Sequence, residues 1–196
     1  IPETLPQQST MLAADGSVIA TFYAENRVPV TLDEVPEDFV NAILATEDAR
    51  YYQHYGVDWR GTLRALVNNF TGEARQGGSG ITQQYVKNIL LLEAETEEER
   101  AAAKETTIER KIQEARYATA LEAKYSKEVI LENYLNTVYF GDGAYGVGAA
   151  ALHYFNKPMK DLTLAQMALL AGIINSPTAY DPTQDMEASK ERRDHV

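Results

Sequence analysis

The chain has 196 residues, 44% hydrophobic and 24% charged, a balance that supports a folded core of domain size, one domain with room for two lobes. A formal net charge of −11 without any basic stripe excludes a generic nucleic-acid binder, because the phosphate backbone would be repelled. The absence of cysteine excludes disulfides, thiolate metal sites and cysteine nucleophiles, and no stretch reaches the ~20 apolar residues of a membrane span.

In chain order, Met11 to Val30 alternates as a β-hairpin turning at Asp15-Gly16, so residues 1–32 form an N-terminal hairpin and linker region. From Asp33 onward helices dominate, and residues 33–182 make the main domain. Phe39, Val40, Ile43, Leu44 and Tyr51 recur at helical spacing, and Glu47 falls near the middle of their stripe. Asp58 caps a helix through Trp59, Leu63, Leu66 and Val67 that Thr71-Gly72 stops, with Tyr51, Trp59 and Tyr85 as core aromatics. The loop Gln76-Gly77-Gly78-Ser79-Gly80 leads into a helical start from Ile81 to Leu92. The acidic run Glu93 to Glu99 reads as a solvated, mobile loop or helix end.

A helix from about Thr106 to Lys124 follows, then one capped by Ser126. Gly141, Gly143, Gly146 and Gly148 mark a turn region whose spacing could mimic a dinucleotide loop, but no βαβ unit precedes it. Thr163 and Gln166 form a capping box with Leu162 and Met167 as its hydrophobic staple. Residues 183–196 read as the start of a linker or helix leading to a further domain. The fold class is mainly α with a small β element.

Glu47 admits two readings from the residues alone. Desolvated on an apolar stripe, its proton affinity would rise toward the range of a general base; alternatively it is a buried acid tied up by an Arg or a backbone amide. Arg110 and Glu114, four residues apart, are either a helix-surface ion pair or, since Tyr117 and Leu121 share their face, a partly buried one. His54, before the turn Tyr55-Gly56, reads as a structural hydrogen-bonding residue. His54, His153 and His195 show no metal-ligand spacing.

Four segments carry polar residues that a core does not need: Glu47-Asp48-Ala49-Arg50-Tyr51-Tyr52-Gln53-His54-Tyr55-Gly56, Gly77 to Asn88, Arg110-Lys111-Ile112-Gln113-Glu114, and Lys127 to Gly141 with Tyr145-Gly146 and Tyr154-Phe155. In this order and spacing the chain resembles the family-51 glycosyltransferase domain of bifunctional penicillin-binding proteins and monofunctional peptidoglycan polymerases. The likeness runs from the hairpin to Ser176-Pro177-Thr178-Ala179-Tyr180-Asp181-Pro182. It implies a lysozyme-like α fold with a smaller, mobile, membrane-facing lobe. It also implies polymerisation of lipid II into β-1,4 glycan strands, with the growing strand as donor and undecaprenyl pyrophosphate released.

The resemblance puts Glu47 at the general base and Glu114 at the second acid, near the leaving pyrophosphate. Ser79, Gln83, Lys87, Arg110 and Lys111 fall on substrate-binding positions, with Asp48 and Asn88 as their polar neighbours. The residue types suit the chemistry: inversion at an α-linked pyrophosphate needs one base to sharpen the hydroxyl and cations where charge develops on the leaving group. No cofactor is required. A divalent ion, Mg or Mn, is allowed as a bridge between phosphate and carboxylate. The implied partners are lipid II, the glycan strand and the membrane surface, with no nucleic acid. The implied location is the outer face of the bacterial cytoplasmic membrane, through an N-terminal anchor absent from this chain.

Two departures from the family pattern stand out. Gly80 replaces the Thr of the Ser-Thr-Ile-Thr-Gln-Gln loop, predicting a looser loop or a ligand contact passed to an amide, and Thr106 stands where many relatives carry an Arg. Lys104 or Arg100 are the substitutes in reach. No Ser-x-x-Lys or Lys-Thr-Gly occurs, so transpeptidase chemistry could only lie in a C-terminal domain beyond Val196. Ile89-Leu90-Leu91-Leu92 is expected either to be exposed and dip into a headgroup layer or to close a core-facing helix end. Competing readings are a lytic enzyme on the same fold, with Glu47 as general acid, and a non-catalytic module that binds cell-wall precursors.

Overall fold

The computed structural model describes residues 1–2, 5, 9–22, 25–62, 78–105 and 107–196. The predicted helix through Leu63, Leu66 and Val67 with its stop at Thr71-Gly72, the Gln76-Gly77 half of the loop, and Thr106 lie outside them. Along the chain run β1 (Ser9–Leu12), β2 (Val18–Phe22), β3 (Asn26–Arg27), α1 (Glu37–Glu47), α2 (Ile81–Glu93) and α3 (Glu97–Lys104). They are followed by α4 (Ile108–Glu122), α5 (Lys127–Thr137), β4 (Ala144–Tyr145), α6 (Val147–Phe155), α7 (Leu164–Ile173) and α8 (Met186–Arg193). The protein is mainly α with a small N-terminal hairpin, as the sequence predicts.

The chain divides into two compact units, residues 1–42 with 135–196 and residues 43–134. In the first, β1 and β2 pair antiparallel, with a register slip between Met11 and Leu12. Gly16, at φ 82°, takes the left-handed position of the turn, and its N–H donates to the Ala13 carbonyl at 2.9 Å. A two-residue parallel bridge joins β3 to β4. Arg27 is buried here, ion-paired with Glu25, bonded to the Asn136 carbonyl, and stacked 5.5 Å from the Tyr145 ring centroid. The Asn136 side chain closes both hydrogen bonds of Val30, accepting from its N–H at 2.9 Å and donating to its carbonyl at 2.7 Å.

The predicted capping box forms in this unit. The Thr163 hydroxyl accepts from the Gln166 N–H and the Gln166 side chain accepts from the Thr163 N–H, while Leu162 and Met167 are buried as the staple requires. The charged segment left as linker or helix forms α8, which Asp185 caps and which packs along α7.

In the second unit Ile43, Tyr51, Ile81, Tyr85, Val86, Ala118, Ile130, Leu131 and Tyr134 are buried, and α2 packs on α4. The helical stripe from Asp33 is divided: Pro36, with no N–H to donate, precedes α1, and short 3-10 turns at Leu32–Glu34 and Tyr51–Gln53 flank it. The acidic run is partly the helix end the sequence allows, since Glu93 closes α2, and partly a helix start, since Glu97 to Glu99 open α3. Thr96 caps α3 with Glu99 reaching back to its N–H at 3.2 Å, and Glu97, Glu98 and Glu99 lie in the first turn, where the helix dipole favours anions. Trp59, expected in the core, is 70% exposed. Ile89 to Leu92 are half-buried on the last turns of α2. Ile108, on α4, is the most exposed large apolar side chain among the described residues at 76%.

Candidate active site

Glu47 ends α1, half-buried, and the turn that follows carries Asp48 and His54. The side-chain N–H of Gln84, on the first turn of α2, donates to Glu47 Oε2 at 2.8 Å. The same amide nitrogen donates to the Ser79 carbonyl at 3.2 Å, and its oxygen accepts from the Tyr134 hydroxyl of α5 at 3.1 Å. Tyr134 is fully buried, and burial together with the charges of Glu47 and Asp48 raises its pKa well above the ordinary phenol range, so it stays a donor.

Asp48 is turned into the frame. Its carboxylate accepts from the Ile81 N–H at the start of α2, 3.0 Å away, and pairs with His54 Nε2 at 2.9 Å. Gly80 makes this approach possible, since a Cβ there would lie 2.5 Å from Asp48 Oδ2. Of the two outcomes expected of Gly80, the looser loop is not what forms: the chain is closely packed at that point, with Gly80 buried. Gln83 also faces the frame, its side-chain oxygen accepting from the Gly80 N–H at 3.2 Å.

On the other side lie the cations. Arg110 is buried and ion-paired with Glu114, which is 1% exposed, and Lys111 Nζ is 2.8 Å from the second oxygen of the same carboxylate. Lys111 also donates to the Ser79 hydroxyl at 2.9 Å. Lys87, half-buried one turn beyond Gln84, has its pKa lowered first by burial and then by the charge of Arg110. Glu114 opposes the shift, and Lys111 and Lys104 add to it. Arg110 Nε is a buried donor without a hydrogen-bond partner among the described residues. Positive charge crowded beyond what one carboxylate neutralises is what an anion site requires. Asn88 is half-buried beside Lys87. A cavity of about 470 Å³ borders Arg110, walled by Leu90, Ala94, Ala102 and Ala103 and rimmed by Glu93, Glu95 and Glu99.

Ser79 joins the two sides. Its carbonyl receives Gln84 and its hydroxyl receives Lys111, so Glu47, Gln84, Ser79, Lys111 and Glu114 form one hydrogen-bonded path. Gln84, Tyr134 and Glu122 are the members that sequence reasoning passed over. Glu122 of α4, its side chain nearly covered, accepts from the Gly56 N–H at 2.8 Å, the Thr82 hydroxyl at 2.5 Å and Lys127 Nζ at 2.8 Å. It thereby ties the Glu47 turn, α2 and α5 together. The double Gln of Gln83-Gln84 was visible as a signal, but only the packing tells which amide faces the acid. Among the described residues no group of three His, Cys, Asp or Glu could hold a metal ion, and Glu114 already carries two cations.

The transglycosylase family model matches residues 15–196. Penicillin-binding protein 1A of Escherichia coli K12 is 43% identical over 193 residues, covering 98% of this chain and 21% of that protein. Penicillin-binding protein 1A of Mycolicibacterium smegmatis is 44% identical over 190 residues, covering 95% of this chain and 23% of the relative. The crystal structure of penicillin-binding protein 1A from Haemophilus influenzae superposes with a TM-score of 0.50 at 25% identity, over 100% of this chain and 18% of that one. The chain thus spans about a fifth of the length of these relatives.

Proposed function

The chain belongs to the transglycosylase family and is a peptidoglycan glycosyltransferase domain, and from that premise we propose that it polymerises lipid II into β-1,4 glycan strands with inversion and release of undecaprenyl pyrophosphate. The observation that carries this reading is the path from Glu47 through Gln84 and Ser79 to Lys111, ending in a cation cluster with Lys87 and Arg110.

Glu47 takes the proton from the 4-hydroxyl of the acceptor lipid II as that oxygen attacks the anomeric carbon of the growing strand. The bond to pyrophosphate breaks with its electron pair leaving on the phosphate oxygen. Lys87, Arg110 and Lys111 meet the developing charge, Arg110 through a planar fork suited to phosphate. Glu114 orders Arg110 and Lys111 for that task. Ser79 and Asn88 border the substrate, whereas Asp48 and Gln83 shape the loop that presents it. A divalent ion, if used, arrives with the pyrophosphate, and no step here runs through it.

A hydrolytic enzyme on this frame would give the cations nothing to bind, since its leaving group is a neutral sugar. The donor's polyprenyl chain holds the domain to a membrane surface, because each CH₂ withdrawn from the bilayer costs about 0.8 kcal/mol. Ile108 and Ile112, one turn apart on α4, are among the exposed apolar residues and offer one surface for contact. No described helix is long and apolar enough to cross a membrane. We place the domain at the outer face of the cytoplasmic membrane, with a transpeptidase domain as the C-terminal partner in the full-length protein.

Incubation with purified lipid II tests the reading. Polymer formation with pyrophosphoryl-lipid release is expected; cleavage of preformed glycan, or binding without turnover, would overturn it.

A further inference from the structure

We propose that Tyr134 is a positioning residue for the base: its hydroxyl anchors the Gln84 side chain so that the amide N–H is held against Glu47. This rests on the reading of Glu47 as the base. The amide has one orientation that satisfies its neighbours. Its nitrogen faces two acceptors, Glu47 Oε2 at 2.8 Å and the Ser79 carbonyl at 3.2 Å, so its oxygen must face the Tyr134 hydroxyl. A flipped amide would set a carbonyl oxygen against a carboxylate.

Tyr134 is the fixed point of the arrangement. It sits on α5 with no exposed surface, among the buried Ile130 and Leu131, whereas Gln84 is a flexible side chain of intermediate exposure. Without the hydroxyl, the Gln84 side chain loses the bond at its far end and samples other rotamers. Glu47 then loses a donor that favours its ionised form and fixes its direction. Tyr134 acts through Gln84 and not on the reacting atoms.

The test is a double-mutant cycle on the full chain. Tyr134→Phe keeps the ring and its packing, and is expected to lower kcat on lipid II by about 10–100-fold while KM moves by less than about threefold. Gln84→Ala is expected to lower kcat as much or more. Tyr134→Phe in the Gln84→Ala background should then cost nothing further. The Glu47 carboxyl 13C resonance, followed through an acid titration in the free protein, should show its midpoint moved to higher pH in both single variants.

Equal losses from Tyr134→Phe in both backgrounds, or wild-type kcat with an unmoved Glu47 resonance, would overturn the positioning role. A wild-type protein inert toward lipid II overturns the functional reading instead. The Glu47 resonance then still decides the role of Tyr134, because it needs no turnover.

Discussion

Glu47 and Glu114 lie in one compact unit and are given opposite surroundings. Glu47 is half-buried and receives the neutral amide of Gln84, whereas Glu114 is 1% exposed between Arg110 and Lys111. Two cations hold the two oxygens of Glu114, whereas a neutral amide steers Oε2 of Glu47. On the proposed mechanism that difference separates the base, Glu47, from the organiser of cations, Glu114, although both are the same residue type.

The largest expected effect comes from removing the base. Glu47→Gln is nearly isosteric and should lower the polymerisation rate by about 10²–10⁴-fold, with lipid II binding by the variant unchanged in an equilibrium assay. A folded Glu47→Gln protein with near-normal turnover would end the comparison. Next, Arg110→Ala should reduce kcat by about 10²–10³-fold by removing a donor to the leaving group, measured with the same substrate. Glu114→Gln sharpens the contrast: a loss of about 10-fold, accompanied by weaker binding of inorganic pyrophosphate, is the signature of disordered cations. If Glu114→Gln leaves pyrophosphate binding untouched, its role is not the ordering of Arg110 and Lys111.

Smaller effects fall on stability. Glu122→Gln removes the charge from a carboxylate that receives Gly56, Thr82 and Lys127, and should lower the unfolding free energy by about 2–3 kcal/mol in denaturant titration.

The smallest concerns Lys87. Its pKa is lowered by burial and by Arg110, so the folded state holds its proton less firmly than the unfolded chain does. At neutral pH that protonated ammonium weakens the fold, and the penalty fades as pH rises from the lowered native value toward the ordinary 10.5. Lys87→Met should therefore raise Tm by a few degrees near neutral pH, with the gain shrinking by pH 10–11, while donor turnover falls. A Tm advantage independent of pH would assign the gain to packing alone.

The local frame was largely legible in the chain. The Asp15-Gly16 turn, the Thr163-Gln166 capping box with its Leu162–Met167 staple, and the buried faces of Phe39, Ile43, Tyr51 and Tyr85 follow from residue chemistry acting over a few positions. Pro36 shortened the helix from Asp33, and the acidic run holds both the helix end it suggested, at Glu93, and a capped helix start at Thr96 that it did not. Trp59, expected in the core, is exposed because size and apolarity do not say which side of a helix start is covered.

The candidate site divides in the same way. Glu47 stood out in the sequence as an acid on an apolar helical stripe, whereas Lys87, Arg110, Lys111 and Glu114 were picked out by the resemblance of their segments to the family pattern. Which partner each one meets was not legible there, since Gln83 and Gln84 differ by about 100° around one helix and only the packing of α2 sends the first to the Gly80 amide and the second to Glu47. Tyr134 lies 50 residues from Gln84, and Glu122 lies 40 from Thr82 and 66 from Gly56. The sequence by itself determined the helices, their caps and the chemical types available to the site. The tertiary structure alone decided the hydrogen-bonded path through Ser79 and the contrast between the two carboxylates, because proton affinity depends on the donors and charges within a few ångströms, and chain separation does not encode those distances.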